Sequence, residues 1–230
     1  MNSAEPGETP APRTARRARW QRRLVRHALI ALCAVPVGYF LGRAFDPKDL
    51  RSAVSAGTAY VALACIAVSL ALGPLNVLRR RPNPVSSDLR RDVSIWGGAV
   101  GLLHTVVGLT VHLRGRMYLY FVPDPTTHPV LPIRFDAFGG ANYLGTISAI
   151  ILLLLLLLSN DISLRTLGTS RWKRWQRLSY FSAVALVLHG VLYQLIEHQR
   201  WAFVALFAAL TLATLAFQGA GLRRVREERR

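Results

Sequence analysis

The sequence predicts an all-α integral membrane protein, a six-helix bundle with both termini on the cytoplasmic side. Three observations predict it. Hydrophobic residues make up 52% of the 230 residues, too many for a disordered chain. The charged residues fall in short blocks between apolar stretches of about twenty residues, the length that spans a bilayer. Lys and Arg are unevenly divided between alternate flanks of those stretches. Two cysteines exclude a disulfide-stapled scaffold.

Six stretches read as transmembrane helices: His27–Phe45, Ser55–Leu78, Val93–Leu113, Asn142–Leu158, Leu178–Glu197 and Trp201–Leu222. Backbone polar groups have no partner in lipid, so helix is the expected state of each. The N-terminal tail, the 79–91 and 159–177 loops and the C-terminal tail together carry 22 Lys and Arg, and the opposite flanks carry seven: Arg43, Lys48, Arg51, Arg114, Arg116, Arg134 and Arg200. The positive-inside rule then places both termini in the cytoplasm of a multi-pass protein of the bacterial inner membrane. Topology thus accounts for the net charge of +17, and no nucleic-acid partner is expected.

Residues 1–26 form a basic tail, expected to be disordered and to touch anionic lipid headgroups. No small-residue cleavage motif follows the first apolar run, so it is read as an anchor rather than a signal peptide. Residues 27–222 form the membrane domain. Residues 223–230 are a short charged tail. The one long external connection, 114–141, holds Pro123, Pro125, Pro129, Pro132 and a Met117-Tyr118-Leu119-Tyr120-Phe121 stretch, aromatics expected in the interfacial belt. Gly38, Gly42, Gly97, Gly98, Gly101, Gly108, Gly139 and Gly140 suit close helix packing or, around 97–108, a cofactor ring. Cys33 and Cys65 are expected as small apolar packers.

Ionisable side chains at bilayer depth are costly and mark function. His104 lies eleven residues beyond Val93 and His189 eleven beyond Leu178, so both imidazoles sit ~17 Å from the cytoplasmic edge at 1.5 Å per residue. Two level imidazoles from separate helices can clamp one planar cofactor, and heme, with imidazole a common axial ligand, is the natural candidate. Filling both axial positions leaves iron no site for substrate, so such a center moves electrons. The alternative is a heme-free scaffold or small transporter in which each histidine bonds to a neighboring helix, for example through Thr105 or Ser182. His112 and His198 also share a depth, near the outer surface, and are read as interfacial or as holding a second cofactor. His27 and His128 are read as surface residues.

The chain resembles the ferric reductase-like transmembrane family, which includes NADPH oxidases, ferric-chelate reductases and the heme-binding membrane subunit of the bacterial methionine sulfoxide reductase system. The resemblance rests on Leu89-Arg90-Arg91 leading into a span with Leu103-His104, and on Arg171-Trp172-Lys173-Arg174-Trp175-Gln176-Arg177-Leu178-Ser179-Tyr180 followed by Leu188-His189. It covers residues 50–220 and implies that His104 and His189 are the axial iron ligands of one heme b. Many members carry a histidine where this chain has Gln176; glutamine is a poor iron ligand, so a single heme is expected. No flavin or nicotinamide domain is expected after the last span, and no Gly-rich dinucleotide fingerprint occurs. Electrons therefore come from a quinol or a separate flavoprotein and leave to an acceptor near the outer face. Arg90, Arg91, Arg114, Arg116 and Arg134 are candidates for propionate contacts, although orientation signals explain them as well. Interface anchoring suffices for Trp175 and Tyr180.

Overall fold

The computed structural model describes residues 13–81, 88–113, 116–127 and 131–230. His128, Arg114 and the first twelve residues of the expected tail lie outside them. Helix is the only regular structure among the described residues: α1 (Arg13–Phe45), α2 (Leu50–Leu78), α3 (Asp88–Gly108), α4 (Ala137–Leu158), α5 (Asp161–Gln176), α6 (Leu178–Ile196) and α7 (Trp201–Glu227). Five helical segments are long and apolar enough to cross a membrane: 17–45, α2, α4, the continuous 161–196 stretch of α5 and α6, and α7. The expected third span, Val93–Leu113, starts within α3 and runs past that helix's end at Gly108, and α3 is not among them. That helix opens with Asp88, Arg90, Arg91 and Asp92, and these charges lower its apolar content, yet its 21 residues reach ~31 Å, a bilayer's hydrocarbon thickness.

Several helices start earlier than the apolar runs, for a reason that hydropathy does not register. Asp49 caps α2 by accepting the N–H groups of Arg51 and Ser52, and Asp136 caps α4 by accepting that of Gly139 at 2.7 Å. Each satisfies orphan donors of a first turn. The 159–177 segment, expected as a loop, is the helix α5. Asn160 caps it through Ser163 N–H, and Gly168 kinks it at φ 71°, a backbone conformation that glycine adopts without steric cost.

The N-terminal segment departs furthest from expectation, because residues 13–26 continue α1 rather than forming an unstructured tail. Three of their arginines, Arg19, Arg23 and Arg26, are tied to the start of α3. Arg19 pairs with Asp88 at 2.8 Å, Arg23 with Asp92 at 2.7 Å and Arg26 with Asp92 at 3.3 Å. The Arg19 guanidinium holds the Asp88 carboxyl below the usual carboxylate range. Asp92 is fully buried. His27 is not a free surface residue either: its Nδ1 accepts the Trp96 indole N–H at 3.0 Å and its Nε2 lies 3.6 Å from Asp92. Without Arg23 the buried Asp92 carboxylate loses its shortest charged hydrogen bond and, of its arginines, keeps only Arg26 at 3.3 Å, a loss of about 2 kcal/mol. Arg23→Met is therefore expected to lower the thermal unfolding midpoint in detergent clearly, whereas Arg22→Met leaves it in place.

α2 is the hub, packing against α1, α3 and α7, while α4 packs on α3 and α6. Close approach of α1 and α2 depends on small residues. A Cβ on Gly42 would lie 2.2 Å from the Ala53 carbonyl oxygen, and one on Gly57 2.2 Å from that of Gly38, so the Gly38-xxx-Gly42 and Ala53-xxx-Gly57 pairs mesh backbone to backbone. α3 and α6 do not pack closely on one another. A cavity lies between them.

Candidate functional site

The cavity has a volume of about 230 Å³ and is lined from α2, α3, α4, α6 and α7. Small side chains open it, among them Ala56, Ala59, Gly101, Gly145 and Ala149, and both His104 and His189 border it. The two helices expected to carry the level histidines thus face each other across a gap rather than touching as neighbors.

The imidazole centers are 6.3 Å apart with ring planes at 73°. His104 Nδ1 lies 2.9 Å from the carbonyl oxygen of Ser55 on α2, and His189 Nδ1 2.7 Å from that of Ala141 on α4. A carbonyl only accepts, so both Nδ1 atoms carry the proton and donate it. Each Nε2 is then an unprotonated nitrogen with its lone pair free, and neither has a hydrogen bond among the described residues. The expected alternative partners, Thr105 and Ser182, bond elsewhere: Thr105 to the Gly101 carbonyl and Ser182 to Ser148.

This geometry can be tested against an iron held between the rings. An imidazole nitrogen sits ~2 Å from a coordinated metal and about 1 Å from its ring center, so two imidazoles on opposite sides of one metal have centers about 6 Å apart. The observed separation matches. A ligating histidine almost always donates its other N–H to a carbonyl or carboxylate, which fixes tautomer and ring orientation, and both histidines do so. The cavity exceeds the ~150 Å³ that accommodates benzene, and His104 and His189 are the two lining imidazoles that would hold a planar cofactor there. Among the described residues no group of three or more His, Cys, Asp and Glu is placed to hold a bare metal ion. A porphyrin, which brings four nitrogens of its own, needs only two from the protein.

Gly145 is a further site residue. A Cβ there would lie 2.7 Å from His189 Nδ1 and 2.8 Å from its Cε1, so the His189 ring occupies the space that glycine leaves. One helical turn of α4 therefore supplies both the carbonyl that aims the ring, from Ala141, and the room for it, at Gly145.

Toward the end of the bundle that carries the 109–136 connection, the cavity turns polar. Tyr193 lies 4.9 Å from His189 by ring centers and donates its hydroxyl to Asn142 at 2.8 Å. His112 stacks on Tyr193 at 6.2 Å, and its Nε2 lies 3.5 Å from a Glu197 carboxylate oxygen. His112 sits past the end of α3, in the turn that follows, and not in a span reaching Leu113. His198, its expected companion, has φ 45° and does not border the cavity; Glu197 takes that place. Of the aromatic stretch expected at the interface, Leu119 and Tyr120 are instead buried, and the Tyr120 hydroxyl donates to the Gly108 carbonyl and accepts His112 N–H.

The remaining candidates stay apart from the cavity. Arg134 is bound to Asp136 at 2.8 Å and to the Leu119 carbonyl, Arg91 to Asp161 at 2.6 Å and to Ser159, and Arg90 to the Ser69 carbonyl. Arg116 is exposed and does not border the cavity. Gln176 ends α5, remote from the cavity, with its amide nitrogen buried and without a hydrogen bond. Cys33 and Cys65 are free thiols.

Comparison of the chain with protein-family models, curated proteins and solved structures yields no match.

Proposed function

We propose that the chain is a membrane b-type cytochrome that relays single electrons through one heme held by His104 and His189. The single observation that carries this reading is the pair of rings 6.3 Å apart, each with Nδ1 bonded to a backbone carbonyl and Nε2 left unpaired. In this reading the bundle has six spans, α3 included, with both termini in the cytoplasm of a bacterial cell, as the distribution of Lys and Arg implies.

Heme supplies the one-electron chemistry, and the protein supplies placement. Ser55 and Ala141 fix the two ring orientations. Gly145 keeps space for one of them, and the alanines and leucines of α2 and α4 that line the cavity would give the group an apolar surround. His104 and His189 would together hold the iron and leave it no open position, which suits electron transfer rather than substrate turnover at the metal. The donor is a quinol or a separate flavoprotein, and the acceptor lies near the outer face, toward the end of the cavity bordered by His112, Tyr120 and Glu197. The motifs shared with the ferric reductase-like family agree with this assignment.

Protein purified after expression with heme supply is expected to show a Soret band, sharp α and β bands on reduction, and one heme per chain by pyridine hemochrome assay. Colorless protein at normal yield would contradict the assignment in favor of a heme-free scaffold, and two hemes per chain would contradict the single site.

A further inference from the structure

The polar end of the cavity holds a pair of ionisable groups for which the electron-relay reading has no use. His112 and Glu197 lie 3.5 Å apart, and each side chain is 34% exposed, so water reaches both. Both border the same cavity as His104 and His189, separated from His189 by the Tyr193 ring. We propose that His112 and Glu197 form a proton-exchange site whose protonation is coupled to the oxidation state of an iron held by His104 and His189. This rests on the heme reading above.

The physical basis is charge balance at short range. An iron held by His104 and His189 would lose one positive charge on reduction, and the His112–Glu197 pair, one aromatic ring away from His189, would then bind a proton more tightly. One electron enters from the donor, a quinol or flavoprotein, and one proton enters the pair from water at the cavity mouth. On oxidation the electron passes to the acceptor and the proton returns to that water. Coupling is reciprocal: a reduction that promotes proton binding is itself promoted by low pH.

The groups around the pair leave it the charge to vary. Tyr120, at the end of the short 3-10 helix Met117–Tyr120, accepts the backbone N–H of His112 with its hydroxyl and does not bond the imidazole. Tyr193 donates its hydroxyl to Asn142, and Phe138 on α4 presents a ring nearly perpendicular to His112. Arg134 lies over Phe138 and is neutralised by Asp136. Arg200, ahead of α7, donates to the carbonyls of Ala44 and Phe45. His198 is exposed and lies outside the cavity lining.

Spectroelectrochemical titration of the holoprotein in detergent between about pH 5 and 9 tests this. The midpoint potential is expected to fall with rising pH by up to about 59 mV per unit, a tenfold change in the reduction equilibrium. Glu197→Gln and His112→Gln are each expected to flatten that slope with the Soret band unchanged. A flat wild-type profile, or a slope that persists in both variants, would overturn the proposal while leaving the heme in place. Wild-type protein without a Soret band would instead remove the heme reading, and this inference with it.

Discussion

His104→Ala and His189→Ala, introduced singly, are each expected to reduce the heme content of purified protein to below about one hundredth of wild type. Loss of an outer partner of a metal ligand already costs 10–100-fold in affinity, and removing the ligand itself costs more. In the proposed site the two rings would hold one iron from opposite sides, so their effects are not independent. The double variant is expected to be no worse than either single one, because residues acting as a unit are grossly non-additive. Neither substitution strands a buried charge: Ser55 and Ala141 lose one hydrogen bond to a carbonyl, a loss of about 1 kcal/mol. Membrane insertion and yield should therefore be retained, and free imidazole added to the alanine variants should partly restore the Soret band. A single variant that binds heme as wild type would contradict the bis-histidine site.

Gly145→Ala is expected to produce nearly the same loss without touching a ligand. The new methyl would lie 2.7 Å from His189 Nδ1, well inside van der Waals contact. Nδ1 is the atom that holds the ring to Ala141. Relief requires the ring to turn, which breaks that bond and re-aims Nε2. A fall in heme content of 10–100-fold is expected, together with a changed spectrum of whatever heme remains. Alanine improves helix propensity over glycine by about 1 kcal/mol, so helix weakening is no explanation for the loss. Gly98→Ala provides the control, since a Cβ there meets nothing closer than 3.8 Å; it should bind heme normally. Wild-type heme content and spectrum in Gly145→Ala would show that the ring is not seated as described.

Much of this arrangement is legible in the sequence, and the parts that are not share a cause. The rise per residue alone brings His104 and His189 to one level, because depth along a helix is a one-dimensional property. The partners of the two rings leave no such trace: Ser55 and Ala141 act through backbone carbonyls, which every residue carries. Gly145 sits unmarked ahead of the apolar run of α4, and only the position of His189 gives it meaning. Glu197, rather than His198, faces His112 because the chain turns at the end of α6, with His198 in a left-handed conformation. The arginines of α1 read as an orientation signal, and their second role, pairing with Asp88 and Asp92, depends on a contact across 69 residues. α5 lacks an apolar stripe and is defined instead by its Asn160 cap.

Low-temperature electron paramagnetic resonance of the oxidised protein tests the central claim most directly. As ligands of one iron, imidazoles with planes at 73° would lie close to perpendicular, leaving the two iron π-symmetry d orbitals nearly equal in energy and the g-tensor strongly anisotropic. A low-spin ferric signal dominated by one large g-value is the expected result, lost in His104→Ala and in His189→Ala. A high-spin ferric signal in wild type, or a low-spin signal unaffected by either substitution, would contradict the account.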